Sequence, residues 1–430
     1  MKRGWLKDGR MPGKPTNPHK LRSHLRELAY LQSRELVTPC RLLLVLIVSI
    51  CLVLLIAYSV DYKEYIIDDT DEVNMTKRPY VQDHQCLKQT REEMLSHYGY
   101  SPSFQKVEKR SSLSLEEFWD LYDAKWPVIV QDIVPDWEAY KTWSKEFFLK
   151  NYRHHRIMLK AVEGVLEEGV AFVRSIEEFL SLLDQCGDMR HWSYIEDEMF
   201  LLQRPELRSH IGNNYLLDEN FFNLFPPQIR PWDSMLLWGT KYSRSTLHMD
   251  PYNWTAVSAV IWGRKRWKLF PPGQDTYLYI SPKQRCGFPL DCRKYNSKVD
   301  SFDVDYMWYP KFQKAEYIEV EQNSGEVLVI PSGWFHQAFN EEETLSISTQ
   351  LMNRNNYLVI LEEIIKGKNL NRKQLPPHFN TLLPPDQVKL FMSLIPKKIL
   401  KQGKEITDFV LESVNMSSTQ DLDNSALEEA

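Results

Sequence analysis

The longest unbroken apolar run lies near the start of the chain. Leu42 to Val60 reads LLLVLIVSICLVLLIAYSV, 19 residues without a charge. At a rise of about 1.5 Å per residue, a helix of that length nearly spans a hydrocarbon core of roughly 30 Å. A buried soluble helix is the competing reading, but such helices seldom run so far uncharged. Residues 61–111 follow as a polar stem with few periodic apolar positions.

A compact pattern starts near Ser114 with SLEEFWDLYDAKWPVIV, an amphipathic turn followed by a Pro-led apolar strand. Helical spacing recurs from Trp143 to Tyr152 and from Ser175 to Leu183. Beyond Ser234 the texture changes to short β-branched or aromatic runs: Met235 to Trp238, Ala256 to Trp262, Arg266 to Phe270, Glu326 to Ile330 and Leu345 to Leu351. Gly and Pro punctuate them, which predicts an antiparallel sandwich or barrel with helices outside. Residues 359–415 read as a Lys-rich helical region, and 416–430 as a polar, disordered tail.

Charge sharpens the first feature. Residues 1–41 carry ten Lys/Arg against three acids, a net of +7, so the overall −5 leaves −12 for the rest. Basic before the apolar run and acidic after it predicts a cytosolic tail, a transmembrane signal anchor at 42–60 and everything later in the ER/Golgi lumen or outside the cell. A cleaved signal peptide fits less well, because the run is long and starts late. Sequons at Asn74, Asn253 and Asn415 and four Cys beyond the anchor (Cys86, Cys186, Cys286, Cys292) suit that compartment. The aromatic content excludes wholesale disorder, six Cys exclude a disulfide-stapled mini-domain, and the acidic balance excludes a general nucleic-acid binder.

The chemistry centres on His248-Met-Asp250. Strand alternation puts both side chains on one face. His336, where a strand runs into the tight Pro331-Ser-Gly333 turn, is the natural third ligand. Two His and one carboxylate make the facial triad of non-haem Fe(II) oxygenases, leaving positions open for a co-substrate and O2. A surface His-Asp pair with an unrelated turn histidine is the bland alternative. Lys265, on the next strand, offers an ammonium for the distal carboxylate of 2-oxoglutarate. Alternation selects it over Arg264 and Arg266, although a basic triplet is more often a solvated edge.

Three segments in order, Leu237 to Pro251, Gly263 to Pro272 and Gly325 to His336, resemble the JmjC domain of Fe(II)/2-oxoglutarate oxygenases, particularly the small JmjC-only protein hydroxylases. The resemblance runs over about residues 112–358. It implies a mostly β double-stranded β-helix (jelly-roll, cupin-like) with flanking helices, and His248, Asp250 and His336 as iron ligands. It implies Lys265, Ser245 and Tyr194 as 2-oxoglutarate contacts, with O2 as the third reactant. Ser258, Ser348 and Gln350 depart from the relatives' residues, which bears on substrate choice. The sequon at Asn253, close to Asp250, is expected to stay unglycosylated.

The expected activity is hydroxylation of a side chain on a protein substrate, with no nucleic-acid partner. N-methyl demethylation at the same site and a catalytically idle binding or scaffold protein are the alternatives. The C-terminal helices are a candidate homodimer surface, as in some relatives.

Overall fold

A computed structural model describes residues 107–409, apart from 163–164, 167–171, 184–186, 284–289, 291–292, 369 and 372–373. The apolar run at 42–60, both polar termini, the sequons at Asn74 and Asn415 and all four later Cys lie outside the described residues. Among the described residues no helix is long and apolar enough to cross a membrane.

Sixteen strands are described: β1 (Glu108–Arg110), β2 (Val128–Val130), β3 (Arg156–Val162), β4 (Val165–Leu166), β5 (Phe172–Ser175), β6 (Tyr194–Asp197), β7 (Met235–Gly239), β8 (His248–Met249), β9 (Thr255–Trp262), β10 (Arg264–Phe270), β11 (Ser281–Lys283), β12 (Lys294–Asn296), β13 (Ile318–Asn323), β14 (Val327–Ile330), β15 (Phe335–Asn340) and β16 (Thr344–Leu351). They form two sheets. The larger runs β1-β2-β14-β9-β16-β7-β6-β3-β4, with β5 also on β3, and the smaller runs β11-β12-β8-β15-β10-β13. Only β1 and β2 pair in parallel within this set; every other pairing is antiparallel. The result is a mostly β, jelly-roll architecture with flanking helices: strand texture predicted an antiparallel sandwich or barrel, and the family resemblance implied the jelly-roll.

The central strands β2, β14, β9 and β7 are buried on both faces, which is why they read as largely apolar runs. Along β9, Val257, Ala259 and Ile261 face outward into a cluster with Trp238 and Ile347. Helices α1 (Lys145–Tyr152) and α2 (Ile176–Leu183) cover that face through Phe148 and Phe179, whose rings lie 5.0 and 5.2 Å from Trp238. The opposite face turns toward the smaller sheet, where Ala256, Leu328 and Ile330 meet Trp267, Leu269, Val320 and Ala338. Helices α3 (Tyr357–Lys368) and α4 (Pro384–Ser393) close one end against Phe221, Phe222 and Tyr252. A turn at Leu394 and a break before residue 397 interrupt the helical tail expected from Pro385 onward, with Pro396 at the break.

Two surface expectations change. Trp308 is neither core nor cleft wall: it is 78% exposed beside Met307 at 93%. The basic residues of β10 are not a solvated edge. Arg266 and Lys268 are buried on the outer face of the smaller sheet, 3.7 Å from Glu341 and 3.5 Å from Glu319, with Phe302 beside both cations.

Candidate metal and co-substrate site

Cross-strand register brings distant residues together. His336 on β15 is paired directly with His248 on the two-residue β8, although 88 positions separate them in sequence. Directly opposed residues share a face of the sheet. The two imidazole rings stand 4.4 Å apart between centroids. Asp250 follows β8 and turns its carboxylate to both, with Oδ1 at 3.4 Å from His248 Nε2 and 3.8 Å from His336 Nε2. One donor atom from each of the three residues lies within 4.8 Å of the others.

The far ring nitrogens fix which atoms face the centre. His248 Nδ1 lies 2.8 Å from the Thr246 carbonyl and His336 Nδ1 lies 3.4 Å from that of Trp334. A carbonyl accepts only, so each Nδ1 carries the hydrogen and each Nε2 lone pair is left for a metal. Burial, reinforced by His248, pushes the His336 imidazole down to about 4, which keeps it in its neutral, ligating form. Burial disfavours charge on the other two as well. There the mutual attraction wins: Asp250 holds the His248 imidazolium up, and the two histidines hold the Asp250 carboxyl down. The Trp254 indole N–H also supports the Asp250 carboxylate, a contact that spacing did not announce.

Lys265 sits where alternation put it, on the inner face of β10. It is fully buried, and its ammonium has no hydrogen-bond partner. Its Nζ lies 5.6 Å from the Trp267 ring centroid, and burial drives the ammonium down to about 7. Two imidazole nitrogens and one carboxylate suit a divalent iron, which would displace the proton that Asp250 favours on His248. An orphaned buried cation on the same wall suits a small dianion beside it.

Tyr194 is buried on the inner face of β6, opposite Gly239 of β7, and burial holds its phenol in the protonated form. Ser245 borders β15: its hydroxyl oxygen accepts the Ala338 N–H at 3.0 Å, so its own hydrogen remains to donate. Ser258 and Ser348, the departures from the relatives' pattern, are cross-strand neighbours facing the cleft. Ser258 Oγ is buried without a partner, whereas the Gln350 amide donates to the Trp232 carbonyl. Glu196, two residues past Tyr194 and on the same face of β6, adds a negative charge felt by His248 and Lys265. Its position two along from Tyr194 was the available signal.

The family model for the cupin-like domain matches residues 114–355. The chain belongs to the cupin-like domain family. Its relatives include the bifunctional arginine demethylase and lysyl-hydroxylase psr-1 of Caenorhabditis elegans, 25% identical over 72% of this chain and 76% of that protein. The 2-oxoglutarate and iron-dependent oxygenase JMJD4 of Gallus gallus is 31% identical over 36% of this chain and 39% of its own length. The lysine-specific demethylase JMJ21 of Arabidopsis thaliana is 26% identical over 63% of this chain, which spans 28% of that protein. For the arginine-specific demethylases JMJ20 and JMJ22 of the same plant, the chain spans 56% and 49% of their length.

Proposed function

We propose that this cupin-like protein is an Fe(II)- and 2-oxoglutarate-dependent oxygenase that hydroxylates a side chain of a protein substrate. The carrying observation is the convergence of His248, Asp250 and His336 beside the partnerless, buried Lys265 ammonium. An idle scaffold has no use for a buried cation that lacks a hydrogen-bond partner and so costs stability. The relatives named as 2-oxoglutarate and iron-dependent oxygenase and as lysyl-hydroxylase support the same chemistry.

His248, Asp250 and His336 would hold the iron through Nε2, a carboxylate oxygen and Nε2. Lys265 would pair with the distal carboxylate of 2-oxoglutarate, with the Ser245 hydroxyl and the Tyr194 phenol as further donors. When bound, iron and 2-oxoglutarate together supply the oxidising power that lets O2 place an oxygen atom on a C–H bond, with succinate and CO2 released. The chain's own work is positioning and exclusion of water: Trp267, Leu237 and Tyr194 wall the cleft. Ser258 and Ser348 face the cleft and offer small polar contacts to whatever enters it. Removal of an N-methyl group is a second outcome of the same site, favoured by the name of the Caenorhabditis elegans relative.

Purified full-length protein is expected to convert 2-oxoglutarate to succinate when given Fe(II), and His248→Ala to lose that activity. Turnover that survives the substitution would remove the site from the reaction. The apolar run at 42–60 and its basic flank support a single-pass, N-in anchor with the domain in the secretory lumen or outside the cell.

A further inference from the structure

The two ligand-bearing strands meet at a single register pair, His336 with His248. A two-residue strand cannot by itself hold the loop that carries Asp250. That loop, Pro251–Asn253, contains two successive non-glycine residues in the left-handed region, Tyr252 at φ 54° and Asn253 at φ 61°. Asn tolerates this conformation well, whereas Tyr rarely adopts it. The tyrosine is held there because its ring is buried against Phe222 and the C-terminal helices.

The conformation aims the Asn253 side chain across the cleft rim at the turn preceding His336. Asn253 Oδ1 accepts the Gly333 N–H and also the Ser332 hydroxyl at 3.2 Å, and the Asn253 backbone carbonyl accepts from that hydroxyl as well. Gly333 has φ +84°, so its N–H is presented by a turn that excludes most side chains. Asn253 stands three residues after Asp250, and Gly333 three residues before His336.

We propose that Asn253 is a positioning residue of the metal site: through Ser332 and Gly333 its side-chain carbonyl sets the separation of Asp250 from His336. This rests on the metal-site reading above. Asn253 touches no ligand atom and acts only through the two turns. Its half-burial and its engaged carbonyl also suit the expectation that its sequon carries no glycan.

The test is Mn(II) binding to metal-stripped full-length protein, with the Co(II) absorption spectrum as a second readout. Asn253→Gly allows the left-handed backbone and deletes the side-chain acceptor, leaving only the backbone carbonyl to Ser332. It is expected to raise the Mn(II) dissociation constant about tenfold, the scale of outer-shell losses, and to alter the Co(II) spectrum at saturation. Asn253→Asp, which keeps the acceptor, is expected to bind within about threefold of the unaltered chain. Ser332→Ala should weaken binding less than Asn253→Gly and add little to it. Tight, spectrally unchanged metal binding by Asn253→Gly would overturn the proposal. Should that variant fail to fold, Ser332→Ala and Asn253→Asp decide: an acceptor-retaining variant no better than the deletion of the hydroxyl overturns it. An unaltered protein that binds no Mn(II) would instead overturn the site itself, as would His336→Ala binding normally.

Discussion

An ammonium group buried without a hydrogen-bond partner costs the ligand-free fold a good deal, and Lys265 is such a group. Its folded value of about 7 lies below the ordinary 10.5, so the unfolded chain binds the extra proton between those limits. The destabilisation is therefore complete below about pH 7 and fades as pH rises toward 10.5. Lys265→Met is expected to leave ligand-free protein at least as stable by thermal melting at pH 6.5, while abolishing 2-oxoglutarate binding. A dianion binds the charged form and raises its pKa in return. Measured anaerobically with saturating Mn(II), 2-oxoglutarate affinity should be flat below about pH 7 and fall up to tenfold per unit above it. An affinity unchanged from pH 6.5 to 8.5 would contradict the depressed ammonium. At the same scale the candidate ligands His248 and Asp250 stood out in the sequence as its single His-x-Asp triplet, the sort of pairing that chance alone also supplies. Trp254 did not, since an indole that supports a carboxylate looks like any core tryptophan until the loop is folded.

Strands were legible in proportion to how much of them is buried. β7, β9 and β14 have both faces covered and read as largely apolar runs, whereas β16 alternates, with Leu345 and Ile347 outward and Ser346 and Ser348 inward. β13 is Ile-Glu-Val-Glu-Gln-Asn, a clean alternation whose inner positions Ile318, Val320 and Gln322 face β10. Period-2 counting would have found it. β8 could not be found that way: two residues carry no period, and its existence depends on pairing with β12 and β15, far along the chain. Glycine marks where these elements crowd. A Cβ on Gly239 would lie 2.1 Å from Ser243 Oγ, 2.5 Å from Asn340 Nδ2 and 2.7 Å from Tyr194 Cδ2. Gly239→Ala is thus expected to push Tyr194 into the cleft, lower stability by roughly 1–3 kcal/mol in a denaturant titration, and weaken 2-oxoglutarate binding. A variant that keeps both would show that Tyr194 yields freely.

At the scale of the whole molecule the charge distribution makes a claim about topology that the domain's own packing does not. Ten basic residues precede the apolar run at 42–60, and six of the seven charged residues from 61 to 72 are acidic. A helix inserted with that asymmetry keeps its basic flank in the cytosol and exports the rest. Under the proposed topology the cupin-like domain would lie on the side where its sequons can be used. Full-length protein expressed in cells with a secretory pathway should stay in the membrane pellet at alkaline pH. Protease added to intact microsomes should remove only the N-terminal tail and leave residues 107–409 protected. Replacing Asn74 and Asn415 together by Gln should abolish a glycosidase-sensitive mobility shift, whereas Asn253→Gln, at a half-buried and internally bonded side chain, should leave it unchanged. Placing two Arg within 42–60 should release the protein from the pellet, because each charge near the helix centre costs about 2.5–3.5 kcal/mol of insertion. Digestion of the domain in sealed vesicles, or release of the unaltered chain by alkaline wash, would overturn the proposed topology without bearing on the candidate metal site.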